Sequence, residues 1–244
     1  MEPRATRFLT AEWRYLVMLN YEIDPAMLRP LVPTGTELDQ WNGKTFVSMV
    51  GFQFLKAKLL GIAIPFHSNF EEVNLRFYVR RKTNEGWRRG VVFIKELVPS
   101  RAIAWTARFF YNENYVALPM GHEVEHGDEG TIRRVTYKWN FKGRKSLLAL
   151  STEGSASVVQ EGSNEEFITE HYWGYARQRD GGTVEYQVEH PRWMVWTARS
   201  SVFDCDVEDI YGKGLAPFLQ KSPASAFLAD GSAVTVFKGT RPSP

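Results

Sequence analysis

The eight residues Glu72-Val73-Asn74-Leu75-Arg76-Phe77-Tyr78-Val79 constrain this chain more than any other stretch. They alternate strictly, with the two-residue period of a β-strand, so successive side chains leave on opposite faces. Val73, Leu75, Phe77 and Val79 share one face, which a core must cover. Glu72, Asn74, Arg76 and Tyr78 share the other, in file at roughly 6–7 Å per step. An acid, an amide, a guanidinium and a phenol in one row form either a solvated sheet face or the polar wall of a pocket. In a pocket, Arg76 would clamp a ligand carboxylate or pair with Glu72, and Asn74 would donate or accept a hydrogen bond. On a solvated face the same groups would contribute on the order of 0–1 kcal/mol.

Other segments carry the same β signature. Trp13–Ile23, Thr45–Leu55, Trp87–Leu97, Thr131–Phe141, Ser146–Leu150, Ala156–Val159, Thr183–Glu189, Trp193–Phe203 and Ser232–Phe237 read as strands, with shorter ones at Glu123–Glu125 and Tyr115–Leu118. The Asn84-Glu85-Gly86 turn predicts a hairpin between the alternating strand and Trp87–Leu97. Asp24-Pro25 predicts a capped short helix ending before Pro33. Ser100 would cap a helix over residues 101–110, and short helices are expected at Glu165-Glu166 and after Asp206. The Gly239–Pro244 tail is expected to fray. No linker interrupts the chain, so a single domain over residues 1–244 is expected. So many antiparallel strands predict a β-dominated α+β fold, closed into a barrel or cone because closure removes edges.

Composition narrows the function. A net charge of +2 gives no bulk attraction to nucleic acid. The single cysteine, Cys205, excludes an internal disulfide and points to a reducing, cytoplasmic setting. Asp204 and Asp206 beside it argue against a thiolate nucleophile. The longest apolar run, Leu59–Phe66, is too short to span a bilayer, and Met1–Arg7 shows no signal-peptide core. Aromatic residues at 14% suit half-buried strands and apolar pockets.

The remaining polar candidates are weaker. His67 precedes the alternating strand in a loop and has the chemistry of a base or ligand contact. Glu170 and His171 are adjacent, so an extended backbone sends them to opposite sides; either one alone would face a cavity. Lys95 is the one lysine within a strongly apolar strand, where a snorkelling position at the strand's end is expected. His122 and His126 are four apart among glycines and read as loop residues, and no motif for a metal is present. No metal and no cofactor is therefore expected.

Four segments resemble one family: Glu72–Val79; Arg101–Ala104 continuing through Ala107–Asn112; Glu166–Trp173; and Ser225–Val234. They are similar to the YqjF-like family of uncharacterised bacterial proteins, which is grouped by fold with acetoacetate decarboxylase. The resemblance spans nearly the whole chain and implies a β-barrel or cone enclosing a small-molecule cavity. Acetoacetate decarboxylases use a lysine pair, one member forming a Schiff base. This chain has no Lys-Lys pair, so no catalytic lysine is carried over.

The expectation is a cavity for a small carboxylated or carbonyl-containing molecule. Glu72 is the candidate general base. Asn74, Arg76, His67, Glu113, Asn114, Tyr115, Glu170 and His171 are the candidate binding residues. A lyase- or hydrolase-like enzyme and a non-catalytic binding or sensing module both remain open, as does a homo-oligomer.

Overall fold

The computed structural model describes residues 6–63, 65, 67–104, 114–127 and 131–242. In chain order the strands are β1 (Arg7–Ile23), β2 (Glu37–Leu38), β3 (Thr45–Leu59), β4 (Ile62–Ala63), β5 (Phe70–Thr83), β6 (Gly86–Val98), β7 (Tyr115–Ala117) and β8 (Met120–His126). They continue as β9 (Ile132–Phe141), β10 (Arg144–Val158), β11 (Trp173–Arg177), β12 (Thr183–Glu189), β13 (Met194–Asp204) and β14 (Ser225–Phe237). Four short α-helices join them: α1 (Pro25–Leu28), α2 (Asn164–Thr169), α3 (Val207–Tyr211) and α4 (Ala216–Leu219). Residues 101–104 are also helical.

Local chemistry explains the helix starts. The Asp24 carboxylate accepts from the Ala26 amide at 2.8 Å, with Pro25 at the first helical position. Ser163 and Asp206 cap α2 and α3 in the same way. Residues 105–110, the rest of the helix expected after Ser100, lie outside the described residues.

The pairings run β1-β3-β5-β6-β11-β12-β14, and β14 pairs again with β1, so the path returns to its start. The junctions of this ring differ in strength. β1 and β14 pair over twelve positions, whereas β6 and β11 join in parallel through Trp173↔Gly90 and Gly174↔Val91. From β14 the sheet also continues through β13, β10, β9 and β8. That arm covers one face of β1, β3 and β5.

Both faces of β5 are consequently buried. Val73, Leu75, Phe77 and Val79 join a core with Leu19 of β1, Met49 of β3, Tyr137 of β9 and Leu148 of β10. Burying each such side chain contributes roughly 1.5–3 kcal/mol. Gly51 is required for this packing, because a Cβ there would collide with the Tyr137 ring. The opposite face belongs to a second core with Met18, Phe46, Tyr78, Phe167 and Phe227. That core is solid at the end where α2 packs, and leaves a hollow toward the β3–β5 loop.

Several sequence expectations need correction. The stretch carrying His122 and His126 is strand β8, paired along its length with β9, and not a loop. The two strands expected at Ser146–Leu150 and Ala156–Val159 are one continuous β10. Strand β11 and helix α4 were not expected. The tail is tied down at Thr240, which exchanges two backbone hydrogen bonds with Glu185, where fraying from Gly239 was expected.

Candidate functional site

Glu72, Asn74 and Arg76 face the inside of the strand ring, with exposures of 3%, 2% and 9%. They line a cavity of about 160 Å³ together with His67 and Tyr115. The solvated-face alternative for this strand is therefore excluded. Pairing sets the depth of each residue. Phe70, Glu72, Asn74 and Arg76 lie opposite Phe54, Phe52, Val50 and Ser48 of β3. At about 3.3 Å per residue, the row from Phe70 to Arg76 spans roughly 20 Å. Exposed Lys58 and half-buried His67 mark the rim; Arg76, held by α2, marks the floor.

Glu72 is fixed by its neighbours. Asn74 Nδ2 donates to Oε1 at 2.9 Å, and the Tyr115 hydroxyl donates to Oε2 at 3.3 Å, long for such a bond. Arg76 is the least satisfied group. Its Nη2 donates to the Ile168 carbonyl at 3.2 Å, and its guanidinium lies 5.7 Å from the centre of the Tyr78 ring. Its Nε is buried without a hydrogen-bond partner, and no carboxylate lies within 4 Å among the described residues. Asn74 Oδ1 and Trp13 Nε1 are likewise buried without partners among the described residues. Among the described residues the cavity thus holds a buried cation that no carboxylate contacts within 4 Å, a costly arrangement.

Glu96, which sequence reasoning did not select, is also part of this wall. It is 1% exposed, pairs with Asn74 across β5 and β6, and lines the cavity. A bulge brings it there. Arg76 pairs with Phe93 and Leu75 with Lys95, so Ile94 is an extra residue without a partner on β5. Phe93 and Glu96 therefore share the cavity face although they are three residues apart. No glycine or proline marks the irregularity, so strict alternation puts them on opposite faces.

Other expected site residues lie elsewhere. Asn114 is exposed and donates to the Ile94 carbonyl, away from the cavity lining. Glu113 lies outside the described residues. Glu170 accepts from the Tyr172 hydroxyl and lies 3.7 Å from Arg192 Nε, also outside the cavity lining. His171 is buried beneath the floor, with its ring centre 4.6 Å from that of Tyr78 and 5.5 Å from that of Phe167. Burial lowers its pKa to about 4, although the Asp39 carboxylate 3.6 Å away opposes the shift. Asp39 itself is held at about 2; burial raises it, but His171 and Arg89 together outweigh that penalty. His67 reaches the rim, where its Nδ1 donates to the Pro65 carbonyl at 2.9 Å.

Residues 10–233 match the family of uncharacterized conserved proteins designated DUF2071. The chain belongs to this family. A DUF2071 relative is the uncharacterized protein YqjF of Bacillus subtilis, 28% identical over 212 residues, covering 86% of this chain and 84% of YqjF. The DUF2071 chain also superposes on solved structures with an acetoacetate-decarboxylase-like fold. Acetoacetate decarboxylase from Legionella pneumophila aligns with a TM-score of 0.66 at 12% identity, covering 97% of this chain and 87% of that one. An acetoacetate decarboxylase-like enzyme from Sphingomonas wittichii gives 0.67 at 13% identity, covering 96% and 93%. The enduracididine biosynthesis enzyme MppR, in complex with pyruvate, gives 0.64 at 12% identity, covering 99% and 93%. At these identities the likeness establishes the fold.

In this DUF2071 chain neither Lys58 nor Lys95 stands beside Glu72, Asn74 and Arg76 on the buried wall. Lys58, at the exposed rim, is the one lysine among the described lining residues. Lys95 projects to the other face of β6, where it donates to the Ile210 carbonyl of α3, and burial lowers its pKa. Cys205 is buried, and burial pushes its thiol up to about 12, so it carries no thiolate. Among the described residues, no group of three or more His, Cys, Asp or Glu side chains could hold a metal ion. Nor, among the described residues, is any helix long and apolar enough to cross a membrane.

Proposed function

We propose that this DUF2071 protein binds a small carboxylated or carbonyl-containing organic molecule inside a barrel- or cone-like ring of strands. One observation carries this reading: Arg76 is a buried guanidinium on the cavity wall with no carboxylate within 4 Å among the described residues. An anionic ligand head would supply the missing counter-charge and accept its unused N–H groups. Asn74 and Tyr115 orient Glu72, the candidate general base toward a ligand proton. Under this reading the chain is a single domain working in a reducing, cytoplasmic compartment on a metabolite. A homo-oligomer is compatible with it.

Binding without turnover is the second reading, favoured by the cavity's predominantly apolar lining and by the position at the rim of Lys58, the one lysine among the described lining residues. Native mass spectrometry of the purified chain tests occupancy, and calorimetry with a panel of small carboxylates and ketones tests affinity. A retained or titratable carboxylate, weakened by Glu72→Gln or Arg76→Gln, is the expected result. No retained mass and no binding across the panel would overturn the proposal. Product formation from the bound molecule, lost in Glu72→Gln, would decide for the enzyme.

A further inference from the structure

Resting on that reading of the cavity, we infer that the ligand is a monocarboxylate with an aromatic or comparably bulky apolar body, bound with its carboxylate on Arg76. The argument comes from how polar and apolar groups are ordered with depth. Arg76 lies at the floor, where α2 closes the ring through the Ile168 carbonyl. Phe93 pairs with Arg76, and Val50 and Phe52 lie opposite Asn74 and Glu72. Nearer the rim, Phe54 and Phe70 stack with ring centres 4.5 Å apart, and the Trp13 ring meets Phe54 edge-on at 5.9 Å. A ligand whose head reaches Arg76 therefore runs its body past an aromatic collar.

Size agrees with this. A cavity of about 160 Å³ has room for on the order of ten water-sized atoms, taking roughly 10–15 Å³ for each. A two- or three-carbon acid would leave most of that apolar space unfilled. Glu72 and Arg76 are four residues apart on β5, roughly 13 Å along the strand. Glu96, opposite Asn74, is nearer, one cavity-facing step or roughly 7 Å from Arg76, so a ligand anion on Arg76 sits deeper than both carboxylates. Exposed Lys58 and half-buried His67 put polar groups at the entrance, outside the aromatic collar.

Isothermal titration of the full chain with propanoate, 3-phenylpropanoate and 3-phenylpropanol tests the inference. The acids share one head group, and the two phenyl compounds share one body. Burial of the phenyl ring should make 3-phenylpropanoate bind on the order of thirtyfold more tightly than propanoate. Loss of the charge should make 3-phenylpropanol bind at least tenfold more weakly than the acid. Phe93→Ala should narrow the gap between the two acids, and Arg76→Gln should remove the gap between acid and alcohol. Equal affinity of the two acids would overturn the apolar body while leaving the anion site intact. Equal affinity of 3-phenylpropanoate and 3-phenylpropanol would overturn the carboxylate head. Failure of all three to bind would overturn this inference and count against the cavity reading as well.

Discussion

Replacing Arg76 by methionine should separate stability from binding. Arg76 is 9% exposed, so its charge has lost most of its hydration, a cost of several kcal/mol for an unpaired buried ion. Methionine keeps the length and apolar stem and removes that cost. Two interactions are lost. The charge-assisted hydrogen bond to the Ile168 carbonyl contributes about 1.5–3 kcal/mol, and the Tyr78 ring contact about 0.5–1 kcal/mol. The opposing effects are similar in size, so Arg76→Met should leave the unliganded protein within about 1 kcal/mol of the original. For a chain of this length that corresponds to no more than about 2–4 °C in Tm. The stabilisation produced by added 3-phenylpropanoate should vanish in the same variant. Urea unfolding with and without the acid measures both quantities. A loss of about 3 kcal/mol or more in the unliganded protein is what breaking a buried ion pair produces. That result would mean Arg76 has an acidic partner in solution and would remove the reason to seek one in a ligand.

Three further outcomes follow from the same geometry. His171 has a folded pKa near 4, below its unfolded value of about 6.5, so the unfolded chain takes up the proton first. Its contribution is flat above about pH 6.5 and erodes stability as pH falls toward 4, by at most about 1.4 kcal/mol per unit; His171→Phe should flatten that limb in urea titrations, leaving the part due to His190, which burial also lowers. Gly231 has φ +79° and a Cβ there would collide with the Trp13 carbonyl on β1, so Gly231→Ala should cost more than the ordinary ~1 kcal/mol, and an unchanged Tm would refute that close approach. Borohydride reduction with pyruvate should leave the mass of the protein unchanged, because Lys58 is solvated at the rim and Lys95 faces away from the cavity; a stoichiometric adduct would refute this.

The strands and caps were legible because their signals are local. Two-residue alternation locates β5, Asn84-Glu85-Gly86 locates its hairpin, and Asp24-Pro25 locates α1. The row of Glu72, Asn74 and Arg76 was visible in the sequence, but its varied polar groups fitted a solvated face as well as a pocket wall, and burial on both faces of β5 decides between them. Glu96 was illegible because its side depends on one unpaired residue, Ile94, that breaks the alternation without any glycine to mark it. Glu170 and His171 lie outside the cavity lining for a different reason. They leave α2 at the end of the ring that the second core fills, and only tertiary packing distinguishes that end from the hollow one. Closure itself was expected from the number of strands, but the partners that make it were hidden, since β14 pairs with β1, β12 and β13 at once and no local pattern announces several partners.

The unpaired Ile94 acts like a reading frame for everything after it on β6. Were the ladder regular, Ile94 would take Leu75 as its partner and each following residue would slip by one. Lys95 would then arrive opposite Asn74 with its ammonium in the hollow, and Glu96 would turn toward the hydrocarbon layer beside Val73. Whether this scaffold offers an amine or an acid to whatever enters it is thus decided by the phase of one strand. A lineage could exchange the two by gaining or ironing out a single kink, with every side chain left unchanged.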